Sequence, residues 1–294
     1  MNVEHFFKCL NCGASSGVMS EKTWICTTCQ QEYAVKHGIP LLVRDWQRHA
    51  AEIEQAQKVK PNWYSEEQPV EAVSPWRHHL RKRREYVERV IKAYLERSGK
   101  PAADSLLDLG CGDGNQLSYL RQYAHASFGS DYNLTRLVRA KLRFDDTTFF
   151  LADILDYPAQ DAFFEIVFFN HVIEHIQDDM QALATIYRIL KPHGLLILGT
   201  PNEGAWWWQL AYKLSPETLE RSDHVQFYTA PVLEERLKSV GFRVQQIEHL
   251  GWGPPHWGFD MRIRKYRVVD DAFERIGRAV IPHQASSLYM ICTK

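Results

Sequence analysis

The sequence predicts an α/β fold on a doubly wound sheet, and two observations carry that prediction. Short apolar runs alternate with helical stretches of amphipathic spacing between Leu106 and Leu198. The first run, 106–109, breaks into Gly110-Cys-Gly112-Asp-Gly114, and from Asn115 the spacing turns helical, with Leu117 and Leu120 on one side. That is a buried strand, a tight turn and a helix start. Glycines at alternate positions let the backbone bend and approach a ligand with no Cβ in between. The helix start directs unpaired N–H groups and a positive dipole end at the same place.

Two ligand classes use such a turn. A dinucleotide brings a pyrophosphate, and its usual signal is G-x-G-x-x-G. Here the spacing is G-x-G-x-G, with Asp108 two positions ahead of Gly110. A carboxylate there suits an ammonium or a bound water and repels a pyrophosphate. Asp108-x-Gly110-x-Gly112-x-Gly114 resembles the first motif of the class I S-adenosylmethionine-dependent methyltransferases. The resemblance implies a Rossmann-like, seven-stranded doubly wound sheet and S-adenosyl-L-methionine as cofactor.

Composition bounds the rest. The 294 residues suffice for one full domain and a small one, and 45% are hydrophobic. A net charge of −1 suggests no strong attraction of the whole molecule to nucleic acid. Residues 1–10 lack a charged segment followed by an apolar one, and no run reaches the roughly 18 apolar residues of a membrane span. The expectation is a cytoplasmic protein. Its organisation reads as a small domain over 1–45, a linker or lid over 46–75 and the main domain over 76–294.

Four of the six cysteines stand as Cys9-Leu-Asn-Cys12 and Cys26-Thr-Thr-Cys29. Two such pairs can set four thiolates around one Zn2+; the alternatives are disulfides or buried thiols. The stretch is too short for a core of its own, so a metal would contribute most of its stability. With Tyr33 and His37-Gly-Ile-Pro-Leu-Leu-Val43 it resembles the zinc ribbons fused ahead of methyltransferase domains, which implies a structural ion.

The linker holds a helical pattern over 47–58 and the pair Trp63-Tyr64, which could close as a lid or simply pack. A long helix over 75–97 opens with the basic run Arg77-His-His-Leu-Arg81-Lys-Arg-Arg84. This reads as a solvated face or as a contact for an anionic substrate such as RNA.

Asp131 closes the second strand about twenty residues past the turn, where a βαβ unit places a carboxylate for two ribose hydroxyls. Its other role would be to cap the next helix, for which Asn133 competes. Tyr132 would then pack near the adenine. After the third strand, 148–152, the resemblance implies that Asp153 receives the adenine amino group and Ile154 stacks on the ring.

A fourth strand, 163–170, apolar enough to be buried on both faces, ends at Asn170, which the resemblance places with the cofactor-binding residues. His171-Val-Ile-Glu174-His175 follows. As a metalloprotease signature it fails, because it follows a strand end and shows no third ligand at a recognisable spacing. Glu174-His175, and the stretch from Arg188 to Thr200-Pro-Asn202, resemble instead the family that includes ubiquinone-biosynthesis methyltransferases. Strands six and seven fall at 242–248 and 287–293, and the family's antiparallel edge hairpin is expected there. The loop Gly251-Trp-Gly-Pro-Pro-His256-Trp257 displays aromatics suited to an apolar or ring-shaped substrate, or to a packed lid.

An acceptor hydroxyl needs a base near neutral pKa, and His171, His175 and His224 are the candidates. The sequence thus points to transfer of a methyl group to oxygen or nitrogen of a small, lipid-like or saccharide acceptor. Methylation of an RNA base is the alternative, although Asn170-His171-Val-Ile lacks the Asn-Pro-Pro-Tyr motif of many base-amine enzymes. A binding module that only keeps the pocket is a third class, opposed by the intact glycines and acids. Acceptor and oligomeric state are not encoded legibly.

Overall fold

The computed structural model describes residues 6–214, 223–254 and 257–294; the side chains of Asn62, Trp63, Ala211, Leu214 and Trp257 are not among what it describes. Four strands come first, β1 (Gly17–Met19), β2 (Thr23–Cys26), β3 (Glu32–Lys36) and β4 (Ile39–Leu42), then helices α1 (Trp46–Val59) and α2 (Arg77–Ser98). Next are β5 (Ala103–Leu109), the single turn α3 (Leu117–Leu120), β6 (Ala124–Asp131), α4 (Leu134–Arg143) and β7 (Thr147–Ala152). Then follow β8 (Phe164–Asn170), α5 (Asp179–Ile189), β9 (Leu190–Pro201), α6 (Trp206–Leu214) and α7 (Ala230–Val240). The chain closes with β10 (Arg243–Leu250), α8 (Trp257–Ile263), α9 (Arg267–Val280) and β11 (Ser287–Thr293).

Local signals explain most boundaries. Asp45 caps α1 by accepting from the Arg48 N–H, and Asn133, not Asp131, caps α4 by accepting from Thr135 and Arg136. Gly241, at φ 111°, stops α7 in a left-handed turn. Lys191-Pro-His-Gly194 belongs to β9, α6 follows it, and α9 precedes the last strand. His256 lies outside the described residues.

The chain forms two compact units. The first holds the residues up to Gln68, Lys100–Phe168 and Arg188–Gly194; the second holds Pro69–Gly99, Phe169–Tyr187 and Leu195–Lys294. Among the described residues seven strands follow the ribbon, β5 to β11, in keeping with the doubly wound fold.

In the first unit the strand order is β1-β2-β3-β4-β7-β6-β5. The β1–β2–β3–β4 meander is antiparallel, but β4 runs parallel to β7, with Leu41 opposite Leu151. The ribbon therefore adds strands to the main sheet, which raises the count beyond seven. β4 is buried along its whole length, as a strand paired on both sides requires. Ile39, Leu41 and Val43 share one cluster with Cys111 of the glycine turn, Leu137 and Ala140 of α4 and Leu151 of β7. On another part of this unit, Phe6 packs among Phe7, Phe128, Phe150, Phe163 and Phe164, with ring centroids 4.3–5.6 Å apart.

In the second unit β9, β11 and β10 form an antiparallel set in that order. It contains the edge hairpin expected of the last two strands, and α7 packs on β10. Among the described residues no helix is long and apolar enough to cross a membrane.

Phe6 is 1% exposed and edges onto four rings beyond its sequence neighbour. Its truncation, Phe6→Ala, is expected to lower stability by about 3–5 kcal/mol, read as a fall in the urea midpoint. A midpoint within experimental error of the parent would show that this ring anchors nothing.

Candidate active site

The glycine turn lies at the carboxyl end of β5. Gly110, Gly112 and Gly114 all take positive φ, 77°, 53° and 75°. A Cβ at Gly112 would come 3.2 Å from Arg136 Nη1, and one at Gly114 would come 3.1 Å from both Ala140 Cβ and Phe144. The amides of Gly110 and Cys111 donate to the Ser130 carbonyl at 2.8 and 3.0 Å, which ties the turn to β6.

Asp131 ends β6 across that bend. Its Oδ2 accepts from the Gly112 N–H and its Oδ1 from the Asn133 N–H, each at 2.8 Å. Burial pushes this carboxyl upward, and the two N–H groups pull it back. Each oxygen still has a lone pair to offer.

Asp108, 2% exposed, has no hydrogen-bond partner at Oδ2. Burial, then the negative charge of Asp131, raises its pKa to about 8. An orphaned buried carboxylate oxygen is what a ligand ammonium or water would complete, so the residues present fit the amino-acid end of S-adenosylmethionine.

Tyr132 packs its ring 4.0 Å from that of His49, and its hydroxyl donates to Glu52 at 3.1 Å. His49 Nε2 also meets the Tyr132 carbonyl at 2.8 Å. Helix α1, read from sequence only as part of a linker, thus lies against this strand end. Asp153 caps the short turn that carries Ile154 by accepting from the Leu155 N–H, and its charge is felt by both Tyr132 and His49.

The linker does more than connect. Asp113, buried in the turn, accepts from the Gln68 N–H at 2.8 Å, and the Asn115 amide donates to the Gln68 carbonyl at 3.4 Å. Asn133 donates to the Tyr64 carbonyl at 2.8 Å, and Arg139 to the Ser65 carbonyl. Residues 64–68 are thereby bonded to the glycine turn and the start of α4 through main chain. The side chain of Trp63, half of the suggested lid, lies outside the described residues.

The second unit gathers the three histidines. Asn170 closes β8, and its Oδ1 is buried without a partner. A Cβ at Gly199 would meet that oxygen at 2.1 Å, so only glycine fits there. His171 then takes φ 54°, a left-handed conformation unusual for its type. Arg83 Nη1 lies 3.1 Å from its Nε2, and Glu174 Oε1 lies 3.2 Å from its Nδ1. A guanidinium only donates, so Nε2 accepts and Nδ1–H donates to Glu174. Burial and Arg83 push the His171 pKa down, against the pull of Glu174.

Glu174, 2% exposed, also accepts from Thr200 Oγ1 at 3.2 Å. His175 Nδ1 meets the Asp223 carbonyl at 3.0 Å, and its ring lies 5.2 Å from that of His224. His224 approaches the buried Glu203, whose carboxylate accepts from the Tyr212 hydroxyl. Burial lowers the His224 pKa to about 4 and raises that of Glu203. Sequence reasoning named the three histidines but neither Glu174 as their common neighbour nor Arg83 and Glu203 beside them.

The basic run at the start of α2 is occupied internally. Lys82 pairs with Asp270 and Asp271, Arg84 with Glu71 and Glu88, Arg81 with Glu85, and Arg83 bonds His171 and Ser287.

In the first unit four thiols converge. Cys9 and Cys29 stand 3.6 Å apart at sulfur, as do Cys12 and Cys26, and all four sulfurs lie within 4.8 Å of one another. A tetrahedral Zn–S bond of about 2.3 Å implies sulfur–sulfur edges of about 3.8 Å, so the donor set fits that ion.

Fold and turn together define a class I, S-adenosylmethionine-type methyltransferase scaffold. A methyltransferase-domain family model matches residues 77–247, more than half of the chain, and the chain belongs to that family. It is 25% identical over 152 residues to a probable S-adenosylmethionine-dependent methyltransferase of Mycolicibacterium smegmatis, covering 52% of this chain and 57% of that one. It is 33% identical over 104 residues to a ubiquinone/menaquinone biosynthesis C-methyltransferase of Desulfotalea psychrophila, covering 34% and 42% of the two. A trans-aconitate 2-methyltransferase of Variovorax paradoxus is 28% identical over 116 residues, 39% of this chain and 45% of that one. The chain spans about half the length of the curated relatives it matches. Among solved structures, a chain of the complex between the Haloferax volcanii Trm112 methyltransferase activator and a methyltransferase superposes with TM-score 0.53 at 19% identity, covering 84% of this chain and 95% of that one. A SAM-dependent methyltransferase from Mesorhizobium loti superposes at 0.50 with 17% identity, over 66% and 92% of the two chains.

The raised pKa of Asp108 has a measurable consequence for the ligand-free protein. The folded chain holds a proton that the unfolded chain has released between about pH 4 and 8, so stability falls as pH rises through that window. Asp108→Asn removes the linkage. Its thermal midpoint is expected to match the parent near pH 4 and to exceed it progressively towards pH 8. A constant difference across that range would show that the folded carboxyl titrates normally.

Proposed function

We propose that this chain binds S-adenosylmethionine in the first unit and transfers its methyl group to oxygen or nitrogen of a small-molecule, lipid-like or saccharide acceptor. The Asp131 carboxylate, held at one oxygen by the Gly112 amide and at the other by the Asn133 amide, is the observation that carries the reading. In this reading Asp131 holds the ribose hydroxyls and the backbone of Gly110, Gly112 and Gly114, free of side chains, lines the amino-acid end. Asp108 receives the ammonium, directly or through water. Asp153 takes the adenine amino group, and Ile154 and Tyr132 cover the ring. When bound, the cofactor supplies an activated methyl on a sulfonium, and the protein's task is alignment. The Glu174 cluster, with His171, His175 and His224, is assigned the proton released by the acceptor.

The acceptor class draws support from two sides. The relatives named for quinone and trans-aconitate methylation act on small molecules by their names. The basic helix that would dock RNA has its charges paired with acids and a histidine of its own unit. RNA methylation stays the second reading, to be read out as salt-sensitive binding. The four cysteines are assigned one structural Zn2+, with S–S spacing as the support.

Calorimetry with S-adenosylmethionine tests the main reading. The parent is expected to bind, and Asp131→Ala to bind at least tenfold more weakly, a loss of about 1.4 kcal/mol or more. No heat with the parent would remove the enzyme reading. For the ribbon, a thiol-reactive mercurial is expected to release one zinc per chain into a chromophoric chelator, with a fall in melting temperature. Zinc-free protein of unchanged stability would count against the ion.

A further inference from the structure

The stretch His171-Val-Ile-Glu174-His175 offers no third metal ligand at a recognisable spacing in sequence. The fold supplies one. Glu174, His175 and His224 each present a ligand atom, and these atoms lie within 4.8 Å of one another. We propose that these three side chains form a divalent-cation site in the second unit, separate from the four cysteines.

The approach of His224 is built by main chain. Val225 and Gln226 both donate their N–H to the Glu174 carbonyl, at 2.8 and 3.0 Å, which fastens the segment after His224 onto the turn carrying Glu174 and His175. His175 and Glu174 also have hydrogen-bonded partners behind them. His175 turns Nδ1 to the Asp223 carbonyl at 3.0 Å, the arrangement that presents Nε2 as the ligand. Glu174 is held by His171 at one oxygen and by Thr200 at the other. His224 Nδ1 lies 3.9 Å from Glu203, a carboxylate that Tyr212 fixes. Two buried carboxylates in one cluster favour a cation, and Arg83 is bonded to His171 rather than to either acid.

Two imidazoles and one carboxylate suit Mn2+, Fe2+, Co2+ or Zn2+ better than the all-oxygen preference of Ca2+ or Mg2+. Three protein ligands leave positions open for oxygens of a bound molecule. Ion binding stands apart from methyl transfer. The role of the open positions, to hold and acidify an acceptor oxygen, rests on the proposed methyltransferase function. With an ion in place, the acceptor proton would not need to pass to His175 or His224.

Mn2+ titrated into the zinc-loaded full-length chain tests the site, since the thiolate set disfavours Mn2+. Calorimetry and electron paramagnetic resonance are expected to show one equivalent bound. Glu174→Gln and His224→Ala should weaken binding at least tenfold, and Thr200→Val, which removes only the orienting hydroxyl, about 10-fold or more. Circular dichroism and S-adenosylmethionine binding on the same samples report whether each variant is folded. No Mn2+ binding by the parent, or equal affinity in folded parent and variants, overturns the site. Failure of S-adenosylmethionine binding alongside intact Mn2+ binding would sink the methyltransferase reading and leave the ion site standing.

Discussion

The bond from the Gly112 amide to the Asp131 carboxylate joins the two parts on which the first unit's site is built. One partner is a turn whose left-handed backbone favours glycine, at φ 53° with Arg136 close behind. The other is an acid at the end of the neighbouring parallel strand, held in register by Leu109 opposite Ser130. A second amide, Asn133, fixes the other carboxylate oxygen, so the acid's orientation is set before any ligand arrives. Burial first, and then that acid's negative charge, makes Asp108 costly to ionise. The strain is local and of the kind a bound cation relieves.

The ribbon is woven into this arrangement. Its last strand pairs with β7, and its apolar residues share a cluster with Cys111 of the glycine turn. Residues 64–68 then bond to the turn through Gln68, Tyr64 and Ser65. Metal-dependent folding of the ribbon would therefore bear on the geometry of the turn itself, through shared packing. This gives the four-cysteine cluster a physical connection to the candidate site that does not require it to touch a substrate.

Much of this was legible beforehand because it is local. The glycine spacing, the strand before it and Asp131 after it follow from short-range periodicity and turn chemistry. The paired cysteines carry their geometry in their spacing. The competition between Asp131 and Asn133 for the cap of α4 was open in sequence, and it resolves because Asn133 takes the two amides while Asp131 takes Gly112. Less legible were the long bonds. Asp113 to Gln68, Arg83 to His171 and Val225 and Gln226 to Glu174 join residues far apart along the chain, and no window of sequence contains both partners.

The chain by itself determined the class of the fold, the tight glycine turn after the first strand and the convergence of four thiols, since each depends on residues a few positions apart. Only the tertiary structure decided that the ribbon lengthens the main sheet, that the basic helix spends its charge on neighbouring acids, and that three histidines gather about one buried glutamate. Those outcomes rest on strand pairing and main-chain bonds between distant segments, whose register is set by the packing of the whole unit rather than by any local pattern.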